Sequence, residues 1–305
     1  MKKDPVQTQV NSLTEVHRTL GLPNPQHPLI SLLNGIDNDI RICLPQGAHV
    51  LHFYKISYKS TVSEKLKYGQ GYYDFDEGGL MFASPNQVIG SPNEPGRQDS
   101  SMYTILIHPD FLWNYPLAKK IKQYGFFSYS ANEALHLSEE ERETVISIFR
   151  IIEKELNSRI DDFSQDVIIS QIEVLLNYAN RFYKRQFLTR KVASNDLLVK
   201  MEELLDESFE SESVKNGIPT VHFLSEKLNI SASYLSDMLR SLTGQNAQQH
   251  IHNKLIEKAK EKLSVTQLSV SEIAYELGFE HPQSFSKLFK AKTQLSPLEF
   301  RKSFN

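Results

Sequence analysis

The sequence predicts an α+β protein. An N-terminal antiparallel β barrel or sandwich is followed by helices, and the chain ends in an all-α part built on an internal repeat. Three observations carry this. Short runs rich in Val, Ile, Phe and Tyr fill residues 40–108, helical periodicity replaces them from about Phe111, and two segments near the C-terminus match each other at an offset of 49 residues.

At 305 residues the chain is long enough for two domains, each with its own core. Apolar residues make up 40% and charged residues 23%, an ordinary globular balance. No run of eighteen apolar residues occurs, so no membrane span is expected. The polar start, Met1-Lys2-Lys3-Asp4, is not that of a secretory signal. One cysteine, Cys43, cannot make an internal disulfide or a cysteine-based zinc site, which fits a reducing, cytoplasmic setting. The net charge of −3 is unevenly spread. Residues 215–305 hold 12 Lys+Arg against 8 Asp+Glu, a net of +4, leaving −7 for residues 1–214. The basic tail suits a nucleic-acid module.

The first 35 residues, with Pro5, Pro23, Pro25 and Pro28, read as an arm carrying one short helix at 12–20. Candidate strands follow at Ile40–Leu44, His49–Lys59, Gly71–Phe75, Leu80–Ala83 and Met102–His108. Asp76-Glu77-Gly78-Gly79 has the composition of a hairpin turn. Aromatic residues crowd this region (Phe53, Tyr54, Tyr58, Tyr72, Tyr73, Phe75, Phe82), either as core or as the lining of an apolar pocket. Ser138 and Glu141 have capping-box spacing at the head of a helix. A second helix after Ser164 carries Ile168, Ile172, Leu175, Ala179 and Phe182 in one stripe. That stripe either packs within its own domain or contributes to a dimer interface. Thr189–Asn195 is expected to be a linker, dividing the chain into domains 1–188 and 189–305. A helix at Asp196–Phe209 and a polar turn at 211–219 come next.

In the repeat, Val221-x-x-Leu224-Ser225-x-x-Leu228-Asn229-Ile230 matches Val270-x-x-Ile273-Ala274-x-x-Leu277-Gly278-Phe279. Each segment is a short amphipathic helix stopped by Asn or Gly, the residues that best tolerate a left-handed backbone. A second helix follows each stop, with Leu235 and Leu239 corresponding to Phe285 and Phe289 after a one-residue insertion. Small residues, Ser225 and Ala274, let the second helix cross closely. This is the pattern of the helix-turn-helix, found twice. Ser231 can cap one second helix and Pro282 suits the first turn of the other. Ser269/Glu272 and Ser296/Glu299 are further capping-box pairs. Between the units, residues 246–263 read as one helix with Ile251, Leu255, Ala259 and Leu263 along it. It spans about 27 Å, which places the two second helices roughly 34 Å apart, one turn of B-DNA.

Over about 100 residues the tail resembles the AraC/XylS family of transcription regulators. The resemblance lies in Lys254-Leu255-x-x-x-Ala259-x-x-x-Leu263, Ser271-Glu272-Ile273-Ala274-x-x-Leu277-Gly278-Phe279, Ser284-Phe285-Ser286-Lys287-x-Phe289-Lys290 and Ser296-Pro297-x-Glu299-Phe300-Arg301. It implies a C-terminal DNA-binding domain and, commonly, a cupin-like N-terminal domain for effector binding or dimerisation. Leu235, Leu239 and Leu242 are expected to face the core of the first unit, leaving Ser233, Ser236, Asp237 and Arg240 outward. In the second, Phe285, Leu288 and Phe289 face inward, leaving Gln283, Ser284, Ser286, Lys287 and Lys290. The resemblance places base contacts at Ser233, Ser236, Asp237, Gln283, Ser284 and Lys287. Gln283 suits adenine, and Lys287 or Arg240 suits guanine or phosphate. Asp237 stands where relatives often carry a basic or amide residue, and Gln294 where glycine is usual before the Ser-Pro step.

No catalytic constellation is found. His49 and His52 are three apart in an expected strand and point to opposite faces, and His17, His27, His108 and His136 are scattered, so no metal site is expected. The expected partners are double-stranded DNA and a second copy of the chain, with a small-molecule effector and RNA polymerase as further candidates. No cofactor is expected. Two rival readings are a helical tail that docks on protein and a metal-dependent barrel enzyme with a regulatory tail.

Overall fold

A computed structural model describes residues 8–35, 42–44, 49–59, 66–68, 71–73, 78–89, 97–99, 101–130, 133–158, 161, 163–189, 191–210 and 217–303. The chain forms two compact units, Met1–Gln186 and Phe187–Asn305.

In the first unit the elements run β1 (Thr8–Val10), α1 (Leu13–Thr19), β2 (Ile30–Asn34), β3 (Ile42–Leu44), β4 (His49–Leu51), β5 (Tyr54–Lys59), β6 (Leu66–Tyr68), β7 (Gly71–Tyr73), β8 (Gly79–Ala83), β9 (Val88–Ile89), β10 (Arg97–Asp99) and β11 (Ser101–Ile107). Short 3-10 turns and α2 (Leu117–Lys120) lead to β12 (Leu135–His136), α3 (Glu139–Leu156) and α4 (Ser164–Thr189). The central sheet has five strands in the order β12-β8-β5-β11-β2, every neighbour antiparallel. Smaller pairings join β10 to β3 and β6 to β7, both antiparallel.

Three sequence expectations need correction. The N-terminal arm is more than one helix. β2 is a strand of the main sheet, and its burial on both faces removes the alternation that would have marked it. β1 lies parallel to β4, the exception to an otherwise antiparallel arrangement, because the long intervening chain gives room for a parallel return. The span 49–59 is two strands, with His52 and Phe53 in a bend between them. Residues 40–41 and 74–77, including part of the expected turn, lie outside the described residues.

Aromatic packing dominates the interior. Phe53, Tyr54 and Tyr58 are buried. Phe82 packs between Phe126 and Phe127, with ring centroids at 4.4 and 5.4 Å. Tyr103 stacks on Phe149 of α3 at 5.2 Å and 15°. The side chains of Tyr72, Tyr73 and Phe75 lie outside the described residues.

The α3 N-terminus shows how local and tertiary forces combine. Ser138 and Glu141 form the expected capping box. The same Glu141 carboxylate accepts from Arg185 of α4, whose other bond goes to the His136 carbonyl at 2.7 Å. One guanidinium therefore ties α3, β12 and α4 together. The α4 stripe (Ile168, Ile172, Leu175, Ala179, Phe182) is buried inside this unit, so it is not free to form a dimer interface.

The second unit is helical. α4 continues to Thr189 and α5 spans Lys191–Glu210, so the expected linker at 189–195 is largely helix. Lys191-Val192-Ala193-Ser194 holds neither Gly nor Pro, and its polarity alone does not break a helix. Then come α6 (Val221–Leu228), α7 (Ala232–Thr243), α8 (Ala247–Val265), α9 (Val270–Glu276), α10 (Pro282–Thr293) and α11 (Pro297–Lys302).

Removing the stacked ring with Phe149→Ala is expected to cost about 3–5 kcal/mol. Ile151→Ala, on the exposed side of the same helix, should cost under about 0.5 kcal/mol. Urea unfolding of both variants checks this, and equal losses would refute the packing assignment.

Candidate nucleic-acid interface

The repeat seen in the sequence becomes a repeat of three helices. α6-α7 and the start of α8 correspond to α9-α10-α11. Thr220 caps α6 and Ser269 caps α9, Ser231 caps α7, and Pro282 opens α10. The equivalence extends further than the sequence reading took it. Asn246 forms a capping box with Gln249 at the head of α8, as Ser296 does with Glu299 at the head of α11. Thr243 Oγ1 bonds the Leu239 carbonyl and the Gln245 N–H, and Thr293 Oγ1 does the same with Phe289 and Leu295.

Each turn depends on a left-handed residue. Asn229 ends α6 at φ 57°. After α9 the same role falls to Gly278, at φ 86°. A Cβ on Gly278 would lie 2.8 Å from backbone atoms of Gly217 and Ile218, so both the conformation and the space demand glycine. Gly244 ends α7 at φ 78°, and Gln294 ends α10 at φ 65°. The departure at Gln294 thus leaves the turn unaltered. A side chain is held where glycine would be unstrained.

Burial separates the two faces of the middle helices. In α7, Tyr234, Leu235, Met238 and Leu239 are buried, a wider inner face than expected, while Leu242 is half-buried. Tyr234 meets the Phe187 ring edge-on at 5.1 Å, and burial raises the pKa of its phenol. Ser233, Ser236 and Asp237 are half-buried and Arg240 is exposed, in one row at i, i+3, i+4 and i+7. Arg240 Nη1 donates to Asp237 Oδ1 at 3.0 Å. In α10, Phe285 and Phe289 are fully buried and Leu288 is half-buried. Gln283, Ser284, Lys287 and Lys290 are exposed and Ser286 is half-buried.

α8 joins the two units. Leu255, Ile256, Ala259 and Leu263 enter the core formed with Ile273, Ala274, Leu277, Phe285 and Phe289. Ala247 and Ile251 are buried at the end that follows α7. Its lysines are tied to neighbours: Lys254 to Asp206 of α5 at 2.7 Å, and Lys262 to Glu276 of α9 at 2.6 Å.

Residues 224–303 match a family described as a helix-turn-helix domain. An uncharacterised HTH-type transcriptional regulator of Bacillus subtilis, YfiF, is 32% identical over 149 residues, 49% of this chain and 43% of that protein. A second Bacillus subtilis relative, the uncharacterised transcriptional regulatory protein YesN, is 35% identical over 79 residues, 25% of this chain and 22% of its own length. The matches therefore span less than half of these relatives. Among solved structures, the C-terminal domain of the response regulator yesN from Fusobacterium nucleatum is 36% identical, with a TM-score of 0.29. That alignment covers 33% of this chain and 96% of that domain.

Gly278→Ala should cost about 2–4 kcal/mol, because strain and overlap add. Gly244→Ala, with nothing within 4 Å of its Cβ, should cost only about 1–2 kcal/mol. Gln294→Gly should stabilise by about 1 kcal/mol. Denaturation midpoints test all three, and equal losses at the two glycines would overturn the close-approach argument. Residues 224–303, with their paired left-handed stops and duplicated three-helix units, form a helix-turn-helix domain of the AraC type.

Proposed function

We propose that the chain is a sequence-specific transcription regulator that binds double-stranded DNA through α7 and α10. One observation carries this reading: two equivalent three-helix units share α8, and each presents a polar row on the outer side of its middle helix. A 19-residue helix is about 28 Å long, and with the offsets of α7 and α10 from its ends this suits a spacing of roughly 34 Å, one turn of B-DNA. The relatives' designations as transcriptional regulators support the same reading.

The contact residues we assign are Ser233, Ser236, Asp237 and Arg240 in the first unit, and Gln283, Ser284, Ser286, Lys287 and Lys290 in the second. Gln283 offers the amide pair that suits adenine, and Lys287 a cation for guanine or phosphate. The second unit supplies most of the affinity, since its lysines are exposed while Arg240 is engaged by Asp237. The N-terminal unit, 1–188 in functional terms, acts as a cupin-like barrel for dimerisation or for a small-molecule effector. On this reading the protein works in the cytoplasm as a homodimer, with RNA polymerase as a further partner. Among the described residues no helix is long and apolar enough to cross a membrane.

Mobility-shift titrations against selected duplexes test this. Binding is expected to fall steeply with salt as phosphate contacts release counterions. Lys287→Ala should weaken specific binding by about 1–3 kcal/mol if Lys287 reads a base. If it meets phosphate, the loss should be uniform across sequences, with the salt slope lower by about 1. Salt-insensitive or absent duplex binding would favour a protein-docking tail instead.

A further inference from the structure

A cleft of about 220 Å³ in the first unit lies against β2. Among the described residues β2 stands at the edge of the five-stranded sheet. Residues 22–27 form one wall, and the end of α3, with Glu153, Leu156 and Asn157, forms another.

Polar side chains are buried here. His17, Ser31 and Asn34 are 7%, 6% and 3% exposed. His17 Nδ1 donates to the Pro23 carbonyl, fixing the wall, while its Nε2 lies 2.7 Å from Ser31 Oγ. Asn34 Nδ2 donates to Glu153 Oε1 at 2.8 Å, which orients the carboxylate. Glu153 is the single carboxylate among the lining residues, and no Lys or Arg joins it. His27 accepts the Leu29 N–H on Nδ1, and burial lowers its pKa. The lining therefore places one carboxylate among carbonyl, amide and hydroxyl acceptors. An anion would be repelled. Leu22, Leu32 and Leu156 add an apolar side suited to a short alkyl chain.

We propose that this cleft binds a small aliphatic amine, with the ammonium on Glu153 and the alkyl stem along Leu22, Leu32 and Leu156. The proposal goes beyond the DNA-binding reading and does not depend on it.

Titration calorimetry of the full chain with butylamine and 1,4-diaminobutane, against 1-butanol and butyrate as matched controls, tests it. Both amines should bind, and the neutral and anionic analogues should bind at least about tenfold more weakly. Glu153→Gln keeps an acceptor for Asn34, so folding should be retained while amine affinity falls roughly ten- to hundredfold. Leu156→Trp, which fills the cleft from a half-exposed position, should abolish binding and decides the matter if the first variant does not fold. Three results would each overturn the proposal: no binding of either amine at millimolar concentration, equal binding of butanol or butyrate, or unchanged affinity in a folded Glu153→Gln protein.

Discussion

The helical unit depends on the buried stripe of α8. Ala247, Ile251, Leu255, Ile256, Ala259 and Leu263 are its inward residues, and five of the six stand four apart. At 3.6 residues per turn, a step of four overshoots a full turn by about 40°. Over the sixteen residues from Ala247 to Leu263 the stripe winds about 160° around the helix while advancing about 24 Å. The two units therefore pack on different sides of one rod, and a single rigid element sets both their separation and their relative rotation. A Gly or Pro within α8 would decouple them. Neither occurs there.

That geometry works only because each unit turns sharply enough to bring its middle helix back onto α8. The left-handed stops at Asn229 and Gly278 do this within a single residue, and the helix ends after α7 and α10 repeat the device. These stops were legible in the sequence because so few residue types can fill them. Gln294 was harder to read. Looked at alone it is a substitution for glycine, and only the equivalence with Gly244 reveals that the backbone keeps its conformation. The capping boxes at Asn246 and Ser296 belong to the same repeat, but one heads a long helix and the other a short one, which hid their correspondence. Tyr234 and Met238 were also missed as core. A polar tip and an adaptable side chain leave periodicity ambiguous, and burial alone settles which face they take.

The N-terminal unit was less readable for physical reasons. A sheet strand announces itself by alternation only when one face meets water. β2, with Ile30, Ser31, Leu33 and Asn34 all buried, has no wet face, and its Ser and Asn sit beside polar partners from distant segments. The pairing of β1 with β4 is equally nonlocal. By contrast α3 and α4 were clear, since an amphipathic stripe and a cap are local signals. Sequence could not reveal that Glu141 serves a capping box and an arginine from α4 at once. The helical run through residues 191–195 was misread because polarity was taken for a break, although nothing in that stretch prevents a helix.

Charge counting pointed to the right end of the chain, but its total overstated the surface available to a polyanion. Lys254, Lys258 and Lys262 are held by Asp206 and Glu276 inside the helical unit. Arg240 is paired with Asp237 on its own helix. An exposed pair of this kind is worth little to stability, yet it lowers the positive potential that α7 presents. The exposed lysines of α10, Lys287 and Lys290, lie on the outer face of the second unit. On the proposed reading the asymmetry has a direct consequence. The second unit would draw the duplex by charge. The first, with small serines and a cation already partnered, would discriminate by fit and by whether a base can displace Asp237 from Arg240. Two copies of one fold would then divide the work of affinity and selection through the local pairing of a single arginine.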